Sequence, residues 1–164
     1  MNFYEKAIIK SELFIKDSIL KYDQLRNYDF GPNKRDNVSG LSPFFSHRIL
    51  FEYHLIDKIL QMHQYSRVEK FIQEIFWRIY WKGWMEMRPS VWDNFLEGLN
   101  RIKFNKKDYE NAINARTKLS CFNDWAIELK EYNYLHNHTI MWFDSIWIFS
   151  LKLPWQLGAK FFLE

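Results

Sequence analysis

The sequence predicts an all-α fold, a multi-helix bundle, and three observations carry that prediction. Apolar residues recur at helical spacing along successive stretches of the chain. With 5 Gly and 4 Pro in 164 residues, few tight turns are available, which favours long helices. Helix-start signals of the Ser-Pro and Ser-x-x-Glu type punctuate the chain, and no strand pair, internal repeat or low-complexity tract interrupts them.

The elements follow in order. Residues 3–25 read as one amphipathic helix, with Phe3, Ala7, Ile8, Leu13, Phe14, Ile19 and Leu20 on its apolar side. From Arg26 to Gly40 the pattern dissolves into a polar, turn-rich segment, the longest irregular stretch and a natural place for function. Ser42 is the expected N-cap and Pro43 the first helical position of a helix running to about His63. Ser66 and Glu69 form a capping box before a helix whose buried stripe is Phe71, Ile75, Ile79 and Trp81. Pro89 and Ser90 restart the chain, and the basic segment from Asn105 to Arg116 predicts a solvated surface helix. Ser120 is read as the next cap, Tyr134 to Leu151 as an apolar central helix, and Pro154 as the opening of the last. That last helix carries Phe161, Phe162 and Leu163 with no polar exit, which predicts a larger fold continuing past it and an apolar patch for self-association.

A chain of 164 residues is read as one domain, 1–164, with a sizeable core. Its 20% aromatic content suits a large packed interior and, at some positions, a planar ligand. A net charge of +3 is compatible with a polyanionic partner but too mild to establish one. The single Cys121 excludes a disulfide scaffold and cysteine-based zinc sites, and suits a reducing cytoplasm. Charges interrupt the apolar pattern of MNFYEKAIIKSELF, so no signal peptide is expected. Asp144 and Lys152 break the most apolar run, so no membrane span is expected either.

The segment YLHNHTIMWFDSIWIF tests metal chemistry. His136 and His138 are two apart, and on a helix such residues point about 200° from each other, so they cannot chelate one ion. Zinc on a helix needs ligands four apart, and no such pair exists. No metal is expected. His136 is read as a satisfied core histidine. No Gly-rich phosphate loop, nucleophile elbow or Cys/His dyad supports hydrolytic chemistry.

Three separated segments, in order, resemble the helical FAD-binding domain of the photolyase/cryptochrome family. YDQLRNYDF with NVSGLSPFFSHRI is similar to the family's Y-D-x-x-R-D-F and T-S-x-L-S-P. QEIFWRIYW is similar to E-L-I-W-R-E-F-Y, and LHNH with LPWQLGAKFF is similar to M-H-N-R and D-W-R-x-G-E-x-Y-F. The likeness spans most of the chain and is greatest to short forms without the α/β antenna domain, here truncated at the C-terminal end.

The resemblance implies FAD as cofactor and damaged DNA as partner. It places Tyr22, Ser39, Leu41 and Ser42 at the flavin phosphates, where hydroxyls and backbone amides suit a diphosphate. Arg78 falls where the family has an arginine near the flavin. Glu74 and Trp77 match the acid and the aromatic that receive a flipped-out pyrimidine dimer, joined in the same cavity by Asn137 and Met141. Trp155 matches the middle tryptophan of the electron-transfer relay, and the distal position falls on Ala112. Two departures weaken the flavin site: Val38 replaces a threonine, and Ile140 replaces an arginine that pairs with a buried aspartate. Losing such a partner costs about a few kcal/mol if the aspartate stays unpaired. The family's D-x-D-x-x-x-N segment does not occur in the chain.

Two functions follow as expectations. One is light-driven electron transfer from FAD to pyrimidine dimers, as in deoxyribodipyrimidine photolyase, with weak FAD binding by this chain alone. The alternative is a flavin-free remnant or split-protein subunit acting as a helical DNA- or protein-interaction domain. In either, a second copy or a complementing chain is expected at the C-terminal apolar helix.

Overall fold

The computed structural model describes residues 2–164, and it is helical, with no strand among the described residues. Two compact units divide the chain, Met1–Trp84 and Met85–Glu164, each with a hydrophobic core of its own.

In the first unit, α1 (Phe3–Leu13) opens on a capping box. The Asn2 side chain accepts from the Glu5 amide at 2.8 Å while Glu5 accepts from the Asn2 amide at 3.0 Å. The helical run continues as predicted but changes winding, through a π-turn over Phe14–Ser18, a 3₁₀ turn over Ile19–Lys21 and α2 (Tyr22–Leu25). Changing the number of residues per turn redirects the apolar stripe. Ala7, Ser11, Phe14, Ile15 and Ile19 are buried, whereas Phe3, Leu13 and Leu20, expected on the same face, are exposed.

The irregular segment after Arg26 is pinned rather than loose. Arg35 grips Asp29 with two nitrogens at 2.9 Å each, and Asn37 Nδ2 donates to the carbonyls of Leu25 and Tyr28. The helix expected from Ser42 to His63 is two helices, α3 (Ser42–Ser46) and α4 (Glu52–Met62). Leu41 rather than Ser42 is the N-cap: it already has helical angles, and its carbonyl accepts from the amides of Phe44 and Phe45. Ser42 therefore sits inside the first turn. Arg48 in the left-handed region, φ 56°, lies between the two helices.

The long helix α5 (Tyr65–Glu86) starts ahead of Ser66, so the expected capping box does not form. Glu69 instead accepts from Gln73 Nε2 at 3.1 Å. Its buried stripe is Val68, Phe71, Ile72 and Ile75, with Ile79 half-buried. Trp81 falls off that stripe and is exposed.

The second unit contains α6 (Pro89–Arg101), α7 (Lys106–Ile113), α8 (Ser120–Tyr132), α9 (Asn137–Ser145) and α10 (Trp155–Leu163). Asn105 caps α7, the predicted surface helix, by accepting from the Lys107 amide at 3.0 Å. Ser120 does not cap α8; Leu119 holds that position without a side-chain bond. The entry to α8 is closed instead by Thr117 and Asn123, whose side chains and backbones exchange bonds of 2.7–2.9 Å. Asn133, φ 49°, ends α8 in the left-handed region.

The central helix expected from Tyr134 begins three residues later because His136 is its N-cap, accepting from the His138 amide at 3.1 Å. After Ser145 it continues as a π-turn over Ile146–Ser150. Behind it, Phe122, Phe143, Trp147 and Phe161 form a stack, with centroid separations of 4.3 Å, 6.0 Å and 6.2 Å between successive rings. The Trp147 indole donates to the Pro154 carbonyl at 2.9 Å. Phe161 is buried in this stack and Phe162 is half-buried, so of the expected terminal apolar patch only Leu163 is exposed. No helix among the described residues is long and apolar enough to cross a membrane.

Candidate functional site

In the first unit, side-chain contacts tie α2, α3 and α4 to α5. Tyr22 turns the edge of its ring onto Phe71 of α5, 5.0 Å between centroids at 82°. Arg26, one turn further along, pairs with Glu74 of α5. One turn beyond Glu74, Arg78 donates from Nη2 to Ser46 Oγ of α3 at 2.9 Å and lies over the Phe45 ring. Its Nε is buried without a hydrogen bond, 3.6 Å from a carboxylate oxygen of the buried Glu52, so charge alone joins them. Trp77, between Glu74 and Arg78, is 55% exposed, its edge against Tyr80.

The Ser39–Ser42 stretch runs past α1. Ser39 Oγ accepts weakly from the Leu41 amide at 3.4 Å; Leu41 is fully buried and Ser42 exposed. Gly40 has φ 56°, and a Cβ placed on it would lie 2.5 Å from Lys10 Nζ. The absent side chain thus serves both the left-handed backbone and the approach of the ammonium group. Burial pushes the Lys10 pKa down from its ordinary value. No acid pairs with Lys10 among the described residues.

The second unit holds the remaining expected residues. Asn137 and Met141, one turn apart at the start of α9, are both exposed. Trp155 opens α10 half-exposed, its ring 5.8 Å from Phe95. A cleft of about 370 Å³ lies between α9, its π-turn and α10, and Ile140, Asp144, Trp147 and Trp155 are among the residues lining it. Asp144 brings the only charge to that lining, and burial pushes its carboxyl above the usual carboxylate range. Ala112, the position of the distal relay residue, is fully buried.

Tyr22, Ser39, Leu41, Ser42, Glu74, Trp77 and Arg78 belong to the first unit, and Asn137, Met141 and Trp155 to the second. Within the first, Tyr22 meets Phe71, Glu74 pairs with Arg26 and Arg78 bonds Ser46, three separate contacts made along α5. Three participants carry no signal at the level of the sequence: Lys10, Glu52 and Asp144. Arg26 had one, as the arginine of Y-D-x-x-R, one helical turn beyond Tyr22. Among the described residues no group of three or more His, Cys, Asp or Glu side chains is arranged to hold a metal ion. No family model matches the chain, and no curated protein or solved structure matches it.

Proposed function

We propose that this chain is a flavin-binding module of the photolyase/cryptochrome kind, acting in light-driven electron transfer to pyrimidine dimers in DNA. The observation that carries the proposal is Lys10. An ammonium without an acid partner among the described residues rests against Gly40, inside the stretch where the resemblance implies a diphosphate. A phosphate oxygen there would supply the counter-charge that no acid provides, and the Ser39 hydroxyl adds a donor, so the donor set fits the group.

FAD, when bound, supplies the absorption of blue light and the transferable electron. The protein's own residues supply position. Trp77 offers an exposed indole face for stacking an extruded base, worth about 1–3 kcal/mol per base. Glu74 offers a carboxylate for hydrogen bonds to that base, and Arg26 fixes its orientation. Arg78, Ser46 and Glu52 brace α5 against α3 and α4. The roles of Asn137, Met141 and Trp155 rest on the resemblance alone. Ile140, apolar where the family has an arginine, supports weak flavin binding.

The test uses the chain with reduced FAD and an oligonucleotide carrying one thymine dimer. Blue light should remove the dimer, darkness or omission of flavin should not, and Trp77→Ala should lower the yield. Dimer levels unchanged by light would contradict the proposal.

One observation favours the flavin-free alternative: Phe76, Trp77, Tyr80 and Trp81 leave an aromatic face exposed on α5, suited to a macromolecular partner. Flavin-independent DNA binding that survives Glu74→Ala and Asn137→Ala together would favour it.

A further inference from the structure

We propose that the cleft between α9 and α10 is a binding site for a small organic cation, an aromatic or quaternary amine. Its volume of about 370 Å³ lies within the range of small-molecule sites, which are mostly apolar with a few placed polar groups. Trp147, Trp155 and Phe162 supply aromatic surface, Ile140 and Ile148 aliphatic surface, and Asp144 the charge. The Trp147 N–H is engaged by the Pro154 carbonyl, which leaves Asp144 as the group that selects.

The charge fixes the sign of the ligand. Asp144 forms no ion pair among the described residues, and Lys160 of α10 pairs with Glu164 at 3.4 Å. The Asp144 residue keeps contact with solvent, yet partial desolvation at the cleft raises its carboxyl above the ordinary range, so a counter-charge is favoured there. An anion would add repulsion, and a neutral apolar molecule would desolvate the carboxylate further. A cation offsets that partial desolvation and is attracted by the half-exposed Trp155 ring as well, the Trp147 faces being stacked between Phe143 and Phe161. An organic amine with a ring fills this space better than the thin alkyl stem of a lysine from a partner protein. None of this depends on flavin, so the inference stands apart from the proposed function.

The experiment compares phenyltrimethylammonium with tert-butylbenzene, its neutral isostere, by titrating the full-length protein and following chemical shifts of the tryptophan indole N–H groups. Wild type should bind the cation about tenfold or more tighter, the scale of a desolvated cation–π and charge contact. Asp144→Asn should bring the two affinities together, while Asp124→Asn, at an acid of the same unit outside the cleft lining, should leave the ratio unchanged. Equal affinities in wild type would overturn the proposal without any variant being needed. Binding of neither probe, or a ratio insensitive to Asp144→Asn, would overturn it as well.

Discussion

Asp144 is an exposed residue whose partial desolvation raises its carboxyl above the usual carboxylate range, and that gives it a modest part in the pH dependence of stability. Its folded pKa is raised above 3.8, so through the range just above 3.8 the native state holds more protons than the unfolded chain. Stability therefore falls as pH rises through that range, and the cost persists at neutral pH. Asp144→Asn should raise the urea midpoint at neutral pH, with the advantage disappearing below 3.8, where both states of the wild type are protonated. A midpoint difference independent of pH would contradict that account. At this scale the sequence was only partly legible. Glu74 and Trp77 stand out by motif, but the partner of Glu74 is Arg26, 48 residues away, a distance no local spacing encodes. Lys10 was invisible for the same reason, since its position against Gly40 arises from packing between α1 and a loop.

At the scale of elements, apolar periodicity located the helical segments and start signals misplaced several ends. Ser42, Ser66 and Ser120 all lie inside first turns, whereas the side-chain caps are Asn2, Asn105 and His136. A serine ahead of an apolar run says that a helix begins nearby. Which residue stays outside it is decided by backbone angles, and Leu41 with φ −90° and ψ −5° had already turned helical. The two π-turns were likewise illegible, because one extra residue in a turn leaves no mark on composition. The terminal aromatics show how tertiary packing overrides a local reading. Phe161 stacks on Trp147 at 6.2 Å and 13°, so it is a core residue and not a docking surface. Phe161→Ala should cost about 3–5 kcal/mol in chemical denaturation, as for other buried phenylalanines. A change confined to sedimentation behaviour, with stability intact, would contradict the assignment.

At the scale of the whole molecule, the aromatic load divides between two cores and a large exposed remainder. Of the 8 tryptophans, Trp147 is fully buried, while Trp77, Trp81, Trp92, Trp142 and Trp155 are all exposed. Composition announces such a surplus without saying where it goes. The all-α class was legible because periodicity and scarce turn residues point the same way at every segment. The proposed flavin binding draws on motifs in order, and its physical core is the cation at the Ser39–Ser42 stretch, which would distinguish a phosphate-bearing flavin from a bare one. The most direct measurement is therefore a calorimetric comparison of FAD and riboflavin binding to wild type and Lys10→Met. FAD should bind more tightly than riboflavin to wild type, and Lys10→Met should reduce FAD to the riboflavin level while leaving riboflavin unchanged. Equal binding of the two by wild type, or an FAD preference that survives loss of the ammonium group, would contradict the account.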